Sequence, residues 1–388
     1  MRNRFGLLGA AMLGLGVASA SAQEVARVGV ILPMTGPFAS TGKQVVAGMR
    51  LYLAQHSDVV AGRRIELLLK DDGGVPDVTK RLAQELVIND HVVALGGFGL
   101  TPLALAASSV ATQAKVPEIV MAAATSSITE ASPYISRTSQ ALPQTVAPFT
   151  DWCIANGIRS VVTIVTDYGP GYDAEKWFKE PFEKQGGKVV AALRVPVANP
   201  DFAPFLQRAA DAKPDAIFIF VPAGVGAVVM KQFAERGLDK AGVRLIGTGD
   251  VVDDDLLNNM GDVTLGMITS QHYSAAHDSD LNRRFVADFG KANEGMRPNF
   301  MGVSGYDGMA LIARAIARTG GDTDGTKLIE AMKGQSWESP RGPVLIDPAT
   351  REIVQNDYIR RTERRDGQLW NIEFATIPMV RDPAKAGK

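Results

Sequence analysis

Short apolar runs alternate along the chain with segments in which apolar residues recur at helical spacing. Early in the chain the runs read RVGVIL, RIELLLK, VVALGG and VPEIVM, and helical spacing covers 40–56, 76–89 and 101–114 between them. Apolar runs of this kind predict strands that are buried on both faces. Such strands alternating with helices are typical of parallel sheets covered by helices on each side, so we predict an α/β fold.

The same alternation restarts near residue 143, which predicts a second unit built like the first. Its strand-like runs read SVVTIVT, GKVVAALRV, DAIFIFV and VRLIGT. The helical patterns around them cover 144–156, 171–185, 201–211 and 223–236. A chain of 388 residues is long enough for two domains of roughly 150 residues each. We therefore predict two lobes, each with its own sheet.

The last part of the chain predicts further crossings between these lobes. Two strong helical patterns, 279–294 and 301–319, are followed by the strand-like runs GPVLID, YIRRT and LWNIEFA. Helices followed by strands in this order suit a chain that returns to both lobes. We predict an N-terminal lobe made of 23–142 plus 275–337 and a C-terminal lobe made of 143–274 plus 338–388.

The first residues predict export from the cytoplasm. Arg2 and Arg4 precede an apolar run that ends at Val17, and the small residues ASASAQ follow it. This is the pattern of a signal peptide, here 1–22, with cleavage after Ala22. The apolar run is shorter than the roughly 20 residues that span a bilayer, although a retained N-terminal anchor is the alternative interpretation. Removing the two arginines takes the formal net charge from −1 to −3.

The composition and the motifs argue against catalysis, metal binding and nucleic-acid binding. The chain is 46% hydrophobic and 21% charged, an ordinary globular composition without a basic stripe. It contains no GxSxG, Walker or HExxH motif, and only His272 and His277 lie close together among its four histidines. Two histidines five residues apart, with no third ligand beside them, make a weak metal site. We predict no catalytic residue, no metal and no cofactor.

Polar or hydroxyl-bearing loops follow five of the predicted strands. These loops read PMTGPFASTG, GGFGLTP, AAATSS, TDYGPGY and GTGD, and they come from both predicted lobes. Ligands of open α/β sheets bind at the carboxyl ends of the strands. The recurrence of such loops therefore predicts a polar cleft between the lobes that encloses a small ligand.

Three of these loops carry groups that suit a zwitterion. Thr101 before Pro102 offers a hydroxyl at a predicted helix N-terminus, a position that favours an anion such as a carboxylate. Thr125, with the backbone N–H groups around Ala123, suits the second carboxylate oxygen. Asp250, from the other lobe, suits an ammonium group, provided that its side chain faces the cleft.

Five stretches of the chain resemble those of a known protein family. They read VGVILPMTGPFASTGKQVVAGMRLYL, GRRIELLLKDDGGVPDVTKRLAQELV, GGFGLTPLALAASSVATQAKVPEI, AAATSSIT and DYGPGY. Together they resemble the type I periplasmic solute-binding proteins of the leucine/isoleucine/valine-binding kind. This resemblance implies two Rossmann-like lobes, a hinge of several crossovers and a ligand cleft between the lobes. Carried over position by position, the ligand residues of the family fall on Thr101, Ala123, Thr125, Tyr168 and Asp250.

The resemblance implies the periplasmic binding component of an ABC importer, which docks transiently on a permease in the inner membrane. The ligand it implies is a branched-chain or related aliphatic amino acid. An aromatic carboxylate of the benzoate or cinnamate type and an amide are the alternatives, because Phe98 and Tyr168 would suit a ring and Asp250 stands where glutamate is common. A ligand-sensing receptor domain is a further alternative.

Overall fold

The computed structural model describes residues 24–387, which form two sheets flanked by helices. The predicted signal peptide, 1–22, lies outside the described residues. No helix within 24–387 has both the length and the apolar composition that crossing a membrane requires. The mixed α/β class predicted from the alternation of strands and helices is confirmed.

The strands agree with the predicted runs and add short edge strands that the pattern did not reveal. In chain order they are β1 (Val25–Leu32), β2 (Val59–Val60), β3 (Arg63–Asp71), β4 (Ala94–Gly97), β5 (Glu118–Val120), β6 (Ile135–Arg137), β7 (Ser160–Thr166), β8 (Lys188–Val195), β9 (Ala216–Phe220), β10 (Leu245–Thr248), β11 (Ile268–Gln271), β12 (Ser336–Ser339), β13 (Gly342–Ile346), β14 (Ile353–Arg365) and β15 (Gln368–Val380).

Each predicted periodic segment forms a helix whose ends lie within a few residues of the prediction, and Gly325–Met332 is a further helix that the pattern did not predict. In chain order they are α1 (Ala39–His56), α2 (Pro76–Ile88), α3 (Thr101–Ala114), α4 (Leu142–Ala155), α5 (Gly169–Lys184), α6 (Ala203–Asp211), α7 (Gly226–Glu235), α8 (Leu257–Met260), α9 (Asp280–Ala292), α10 (Phe300–Arg318) and α11 (Gly325–Met332). Short 3₁₀ turns lie at Ser126–Glu130, Gly249–Val252, Asp262–Thr264 and Pro383–Lys385.

The first sheet has the strand order β2-β3-β1-β4-β5-β6 and is parallel except for β2. The second has the order β12-β13-β14-β11-β10-β9-β7-β8, with β15 paired to β14. Its strands β7 to β11 are parallel, and β12 to β15 join them as an antiparallel extension. Buried residues follow one another without a break from Val28 to Leu32 in β1, because helices cover both faces of the sheet.

Helices α1 and α10 pack on the first sheet, and their backbones are in direct contact with each other. A Cβ atom at Gly48 of α1 would lie 2.0 Å from the carbonyl oxygen of Gly302 in α10. No side chain fits at such an approach, so glycine is required there. Late residues of the chain therefore complete the core of the first sheet, which contains both Val45 and Ile312.

A buried ion pair joins α10, which packs on the first sheet, to the turn between β12 and β13 of the second sheet. The Arg341 guanidinium lies 2.7 Å from the carboxylate of Asp307 in α10 and donates to the Thr138 carbonyl oxygen at 2.8 Å. Both charged side chains are fully buried. Removing one partner of such a pair typically costs about 3–5 kcal/mol, so α10 and this turn are held firmly together. The lobe boundary predicted at 337/338 falls within β12, and the lobe limits remain a prediction.

Candidate functional site

The turn between β4 and α3 forms one wall of a small cavity between the two sheets. Helix α3 begins at Thr101 with Pro102 in its first turn, where a proline leaves no N–H unpaired. The Thr101 hydroxyl lies 2.8 Å from the Thr125 hydroxyl, and both residues are buried. The sequence-predicted pair is thus in direct contact at a helix N-terminus, a position that favours an anion.

Ala123 lies at the cavity, but its backbone N–H is already engaged. That N–H donates to the Phe98 carbonyl oxygen at 3.0 Å. The predicted role of the N–H groups around Ala123 in holding a carboxylate oxygen therefore does not extend to Ala123 itself. Ala123 contributes instead to the shape of the cavity wall.

Phe98 does not line the cavity. Its backbone has a φ of 65°, which is uncommon for a residue other than glycine. Its fully buried side chain packs in the core with Ile31, Leu95 and Ala104. Phe98 was predicted to contact a ligand ring, but its side chain lies in the core, so we do not include it in the candidate site. The backbone of Phe98 still shapes the turn, since its N–H donates to the Ile31 carbonyl oxygen at 2.9 Å.

The second wall begins where β7 leads into α5. Tyr168 precedes the first residue of α5, and its ring stacks on Phe220 with the centroids 6.2 Å apart. The next residue, Gly169, presses against the threonine pair. A Cβ atom at Gly169 would lie 2.7 Å from the Thr125 hydroxyl oxygen. The two walls are therefore in contact at Gly169, and the N-termini of α3 and α5 both lie next to the two threonines.

Asp250 lies in the 3₁₀ turn after β10 and lines the same cavity as Thr101 and Tyr168. Its carboxylate accepts a long hydrogen bond from the Gln271 amide, at 3.4 Å. Burial raises the pKa of the Asp250 carboxyl to about 6, although the nearby Arg360 charge opposes the rise. Burial, and secondly the charge of Asp250, raises the pKa of Tyr168, so this phenol stays neutral.

The rest of the cavity wall is mainly apolar and includes residues that the sequence analysis did not single out. The full set of lining residues is Phe38, Thr41, Gly99, Leu100, Thr101, Ala122, Ala123, Ala124, Tyr168, Pro170, Phe220, Pro222, Ala223, Asp250 and Met301. Within the part of the chain that the structure describes, these lining residues include no lysine, arginine or histidine. An anionic ligand would therefore depend on hydroxyl groups and helix N-termini.

Of two residues that the sequence analysis missed, Phe220 could have been predicted from the sequence and Met301 could not. Phe220 ends β9, between the strands that lead to Tyr168 and Asp250, so the strand-end argument would have found it if applied to IFIFVP. Met301 lies in the first turn of α10, far along the chain. No local signal marked it, because only the packing of α10 on the first sheet brings it to the cavity.

Comparison with known proteins supports the same architecture. The family model described as periplasmic binding protein matches residues 25–368. The Leu/Ile/Val-binding protein homolog 6 of Brucella melitensis biotype 1 is 42% identical over 370 residues, which is 94% of this chain and 95% of that protein.

Two solved structures combine similar folds with bound aromatic acids. A solute-binding protein of an ABC transporter from Rhodopseudomonas palustris BisB5, in complex with 3,4-dihydroxybenzoic acid, is 60% identical with a TM-score of 0.91. The match covers 93% of this chain and 99% of that one. A solute-binding protein from Rhodopseudomonas palustris HaA2, in complex with p-hydroxybenzoic acid, is 42% identical with a TM-score of 0.91, covering 94% and 100%.

Proposed function

The chain belongs to the periplasmic binding protein family and is a solute-binding protein of an ABC transporter, and we propose that its solute is a small aromatic carboxylate of the hydroxybenzoate class. The observation that carries this proposal is the cavity itself. It has the Thr101 hydroxyl on one wall, with the Thr125 hydroxyl hydrogen-bonded to it at 2.8 Å, stacked rings on another wall, and a buried carboxyl group contributed by the second sheet.

The carboxylate of the ligand would bind at the threonine pair. Thr101 and Thr125 each have a hydroxyl that can turn from its partner and donate to an anion. The N-termini of α3 and α5 add partial positive charge at the same place, which favours a compact anion without a basic side chain. A carboxylate bound here would exchange its hydration for donors that are already in position.

The ring of the ligand would lie between aromatic and apolar walls. Phe38, Tyr168 and Phe220 line the cavity together with Met301. Aromatic rings prefer stacked or edge-to-face contacts with one another, which add about 0.5–1.5 kcal/mol per pair beyond burial. A rigid, flat ligand would make such contacts at little entropic cost.

Asp250 requires a ligand that offers a hydrogen-bond donor. With a pKa of about 6 it is mostly ionised at neutral pH, and an unpaired buried carboxylate is costly. A phenolic hydroxyl meets this requirement as well as the ammonium group that the sequence analysis considered. Asp250 therefore supports hydroxylated benzoates over unsubstituted benzoate.

An aliphatic amino acid is the second candidate. The ionised Asp250 would pair with its ammonium group, and the Brucella relative that is 42% identical is named as a Leu/Ile/Val-binding protein homologue. The hydroxybenzoate proposal is preferred for two reasons. The cavity is lined with rings, and the match at 60% identity holds a dihydroxybenzoate.

The remaining parts of the proposal concern location and partners. Residues 1–22 would direct export and be removed, so that the mature protein acts in the periplasm. The protein would work by binding alone, without catalysis. Closure of the lobes would bury the ligand and present a surface that spans both lobes to a permease of the inner membrane.

A thermal-shift panel tests the ligand class. The mature protein, from Gln23 onward, is melted with 4-hydroxybenzoate, 3,4-dihydroxybenzoate, benzoate, leucine, isoleucine and valine. A ligand at 100 times its dissociation constant adds about 2.7 kcal/mol, which raises the midpoint by several degrees. We expect the two hydroxybenzoates to give the largest shifts. A shift with the amino acids alone would overturn the hydroxybenzoate proposal and leave the transport role standing.

A further inference from the structure

We propose that the segment 381–385, which follows β15, positions the loop that carries Thr125, so that Asp382 and Lys385 are positioning residues for ligand binding. We call 381–385 the tail segment. This inference rests on the proposed function, because it assumes that a ligand carboxylate binds at Thr101 and Thr125. It assigns a role in the site to residues that do not line the cavity.

The tail segment contacts the Thr125 loop directly. Asp382 accepts a hydrogen bond from the hydroxyl of Ser126, the residue next to Thr125. Lys385 donates to the Thr129 hydroxyl, at the other end of the same 3₁₀ turn. Asp382 and Lys385 are each only 5% exposed. These contacts are therefore buried, where a hydrogen bond is costly to break.

A chain of buried charges connects Lys385 to the backbone of Thr125. The Lys385 ammonium lies 2.5 Å from the Glu352 carboxylate, whose second oxygen lies 2.9 Å from the Arg137 guanidinium. Arg137 in turn donates to the Thr125 carbonyl oxygen at 2.5 Å. Each of these three charged side chains is at most 3% exposed. Three linked charges at this depth stabilise one another, so the loss of one shifts the others.

The tail segment also connects the two sheets. It continues from β15, which pairs with β14 in the second sheet, whereas the Thr125 loop lies between β5 and β6 of the first. Asp173 of α5 adds a contact from the same side, accepting from the Ser126 backbone N–H at 2.9 Å. The loop that presents Thr125 is thus held by its own sheet through Arg137 and by the second sheet through the tail segment and α5.

The consequence for binding follows from the geometry of the threonine pair. The two hydroxyls are 2.8 Å apart and must reach the same carboxylate. Groups that bind a ligand work well only when supporting contacts hold them within about 0.5 Å of the productive position. Without the Lys385 ammonium, Glu352 would pull Arg137 from the Thr125 carbonyl, and the Thr125 hydroxyl would lose its orientation. The carboxylate should then bind less tightly, while contacts to the ring should be unaffected.

The test compares charge variants with an anionic and a neutral ligand. Lys385→Met keeps an unbranched side chain that is one atom shorter and removes its charge, whereas Lys385→Arg keeps the charge. Asp382→Ala removes the contact to Ser126 independently. Lys327→Met is the matched control, because Lys327 forms a 2.5 Å ion pair with Asp322 on the exposed surface. Each variant is titrated calorimetrically with 3,4-dihydroxybenzoate and with its uncharged amide, and its unfolding midpoint is recorded.

We expect Lys385→Met and Asp382→Ala each to lower the affinity for 3,4-dihydroxybenzoate by about tenfold, the loss typical of a charge-assisted hydrogen bond. The affinity for the amide should change by less than about threefold, and Lys385→Arg should recover most of the affinity for the acid. Lys327→Met should behave like the wild type. Equal losses for acid and amide, or unchanged affinity in both tail variants, would overturn the positioning role.

Binding by the wild type separates this inference from the proposed function. If the wild type does not bind 3,4-dihydroxybenzoate, the proposed ligand class is wrong, and leucine with its amide then replaces the pair as the probe of the same loop. A selective loss of the acid in the tail variants supports positioning with either probe. Failure of the wild type to bind either acid overturns both proposals.

Discussion

Replacing Asp250 with asparagine removes a negative charge from the cavity wall and keeps a side chain of nearly the same shape. The effect depends on what the ligand offers to this carboxylate. Asp250 has a pKa of about 6 because burial disfavours its charged form. It is therefore ionised at pH 7.5 and protonated at pH 5, so its charge can be changed both by mutation and by pH.

The three ligand types predict three different pH dependences. An ammonium group stabilises ionised Asp250, so affinity for an amino acid falls about tenfold for each pH unit below about 6. A ligand without a donor raises the pKa of Asp250 further in the complex, so its affinity rises as the pH falls toward 6. A phenolic hydroxyl donates to the ionised carboxylate and accepts from the protonated one, so its affinity changes little.

The substitution itself separates the same cases by magnitude. The asparagine side chain would keep a carbonyl oxygen that accepts from a phenol, so we expect Asp250→Asn to weaken 4-hydroxybenzoate by about 1 kcal/mol, roughly fivefold. Loss of a buried ammonium partner would cost about 2–5 kcal/mol, which is at least about thirtyfold. Benzoate, which has no donor, should bind the variant as well as or better than the wild type.

Isothermal titration of both proteins with 4-hydroxybenzoate, benzoate and leucine between pH 5 and pH 8 measures all of these quantities. Thermal unfolding of each protein over the same range controls for loss of structure. An unchanged ratio of 4-hydroxybenzoate to benzoate affinity in Asp250→Asn would refute the contact between Asp250 and the phenol. A steep fall in hydroxybenzoate affinity below pH 6 would contradict the acceptor-and-donor argument.

Two further predictions concern single residues. Thr101→Ala should weaken every carboxylate ligand by about 1–3 kcal/mol, measured by titration, and unchanged affinity would show that the carboxylate binds elsewhere. Glu118 is fully buried in β5, its carboxylate oxygens have no hydrogen-bond partner among residues 24–387, and burial raises its pKa well above the ordinary value. Its folded form therefore holds a proton that the unfolded chain releases, which lowers the unfolding free energy by about 1.4 kcal/mol per pH unit above about 4.5, up to the folded pKa. Glu118→Gln should remove this slope in denaturant titrations compared with the wild type at several pH values, and identical slopes would contradict the assignment.

The alternation of apolar runs and helical spacing was enough to predict the α/β class, the main strands and the main helices. These signals are local, because a strand buried on both faces and a helix buried on one face each leave their own period in the sequence. The rule that ligands meet the carboxyl ends of parallel strands then led to Thr101, Thr125, Tyr168 and Asp250. The structure brings these four residues to the walls of one cavity or into direct contact with them.

Side-chain direction at those strand ends depends on tertiary packing. Phe98 adopts a positive φ, which turns its ring into the core rather than toward the cavity. The Ala123 N–H is used by the Phe98 carbonyl, a pairing set by how two neighbouring turns pack. One backbone angle redirects a whole side chain, and no composition or spacing encodes that angle for a residue other than glycine.

Long-range packing completes the site. Met301 reaches the cavity because α10 lies against α1, and the tail segment reaches the Thr125 loop across 256 positions of sequence. Local sequence was sufficient to specify which elements form and which strand ends carry polar groups, because those properties depend on residues close together in the chain. Which distant side chains complete and support the site depends on how whole elements pack, and that was settled only when the sheets, helices and buried charges came together.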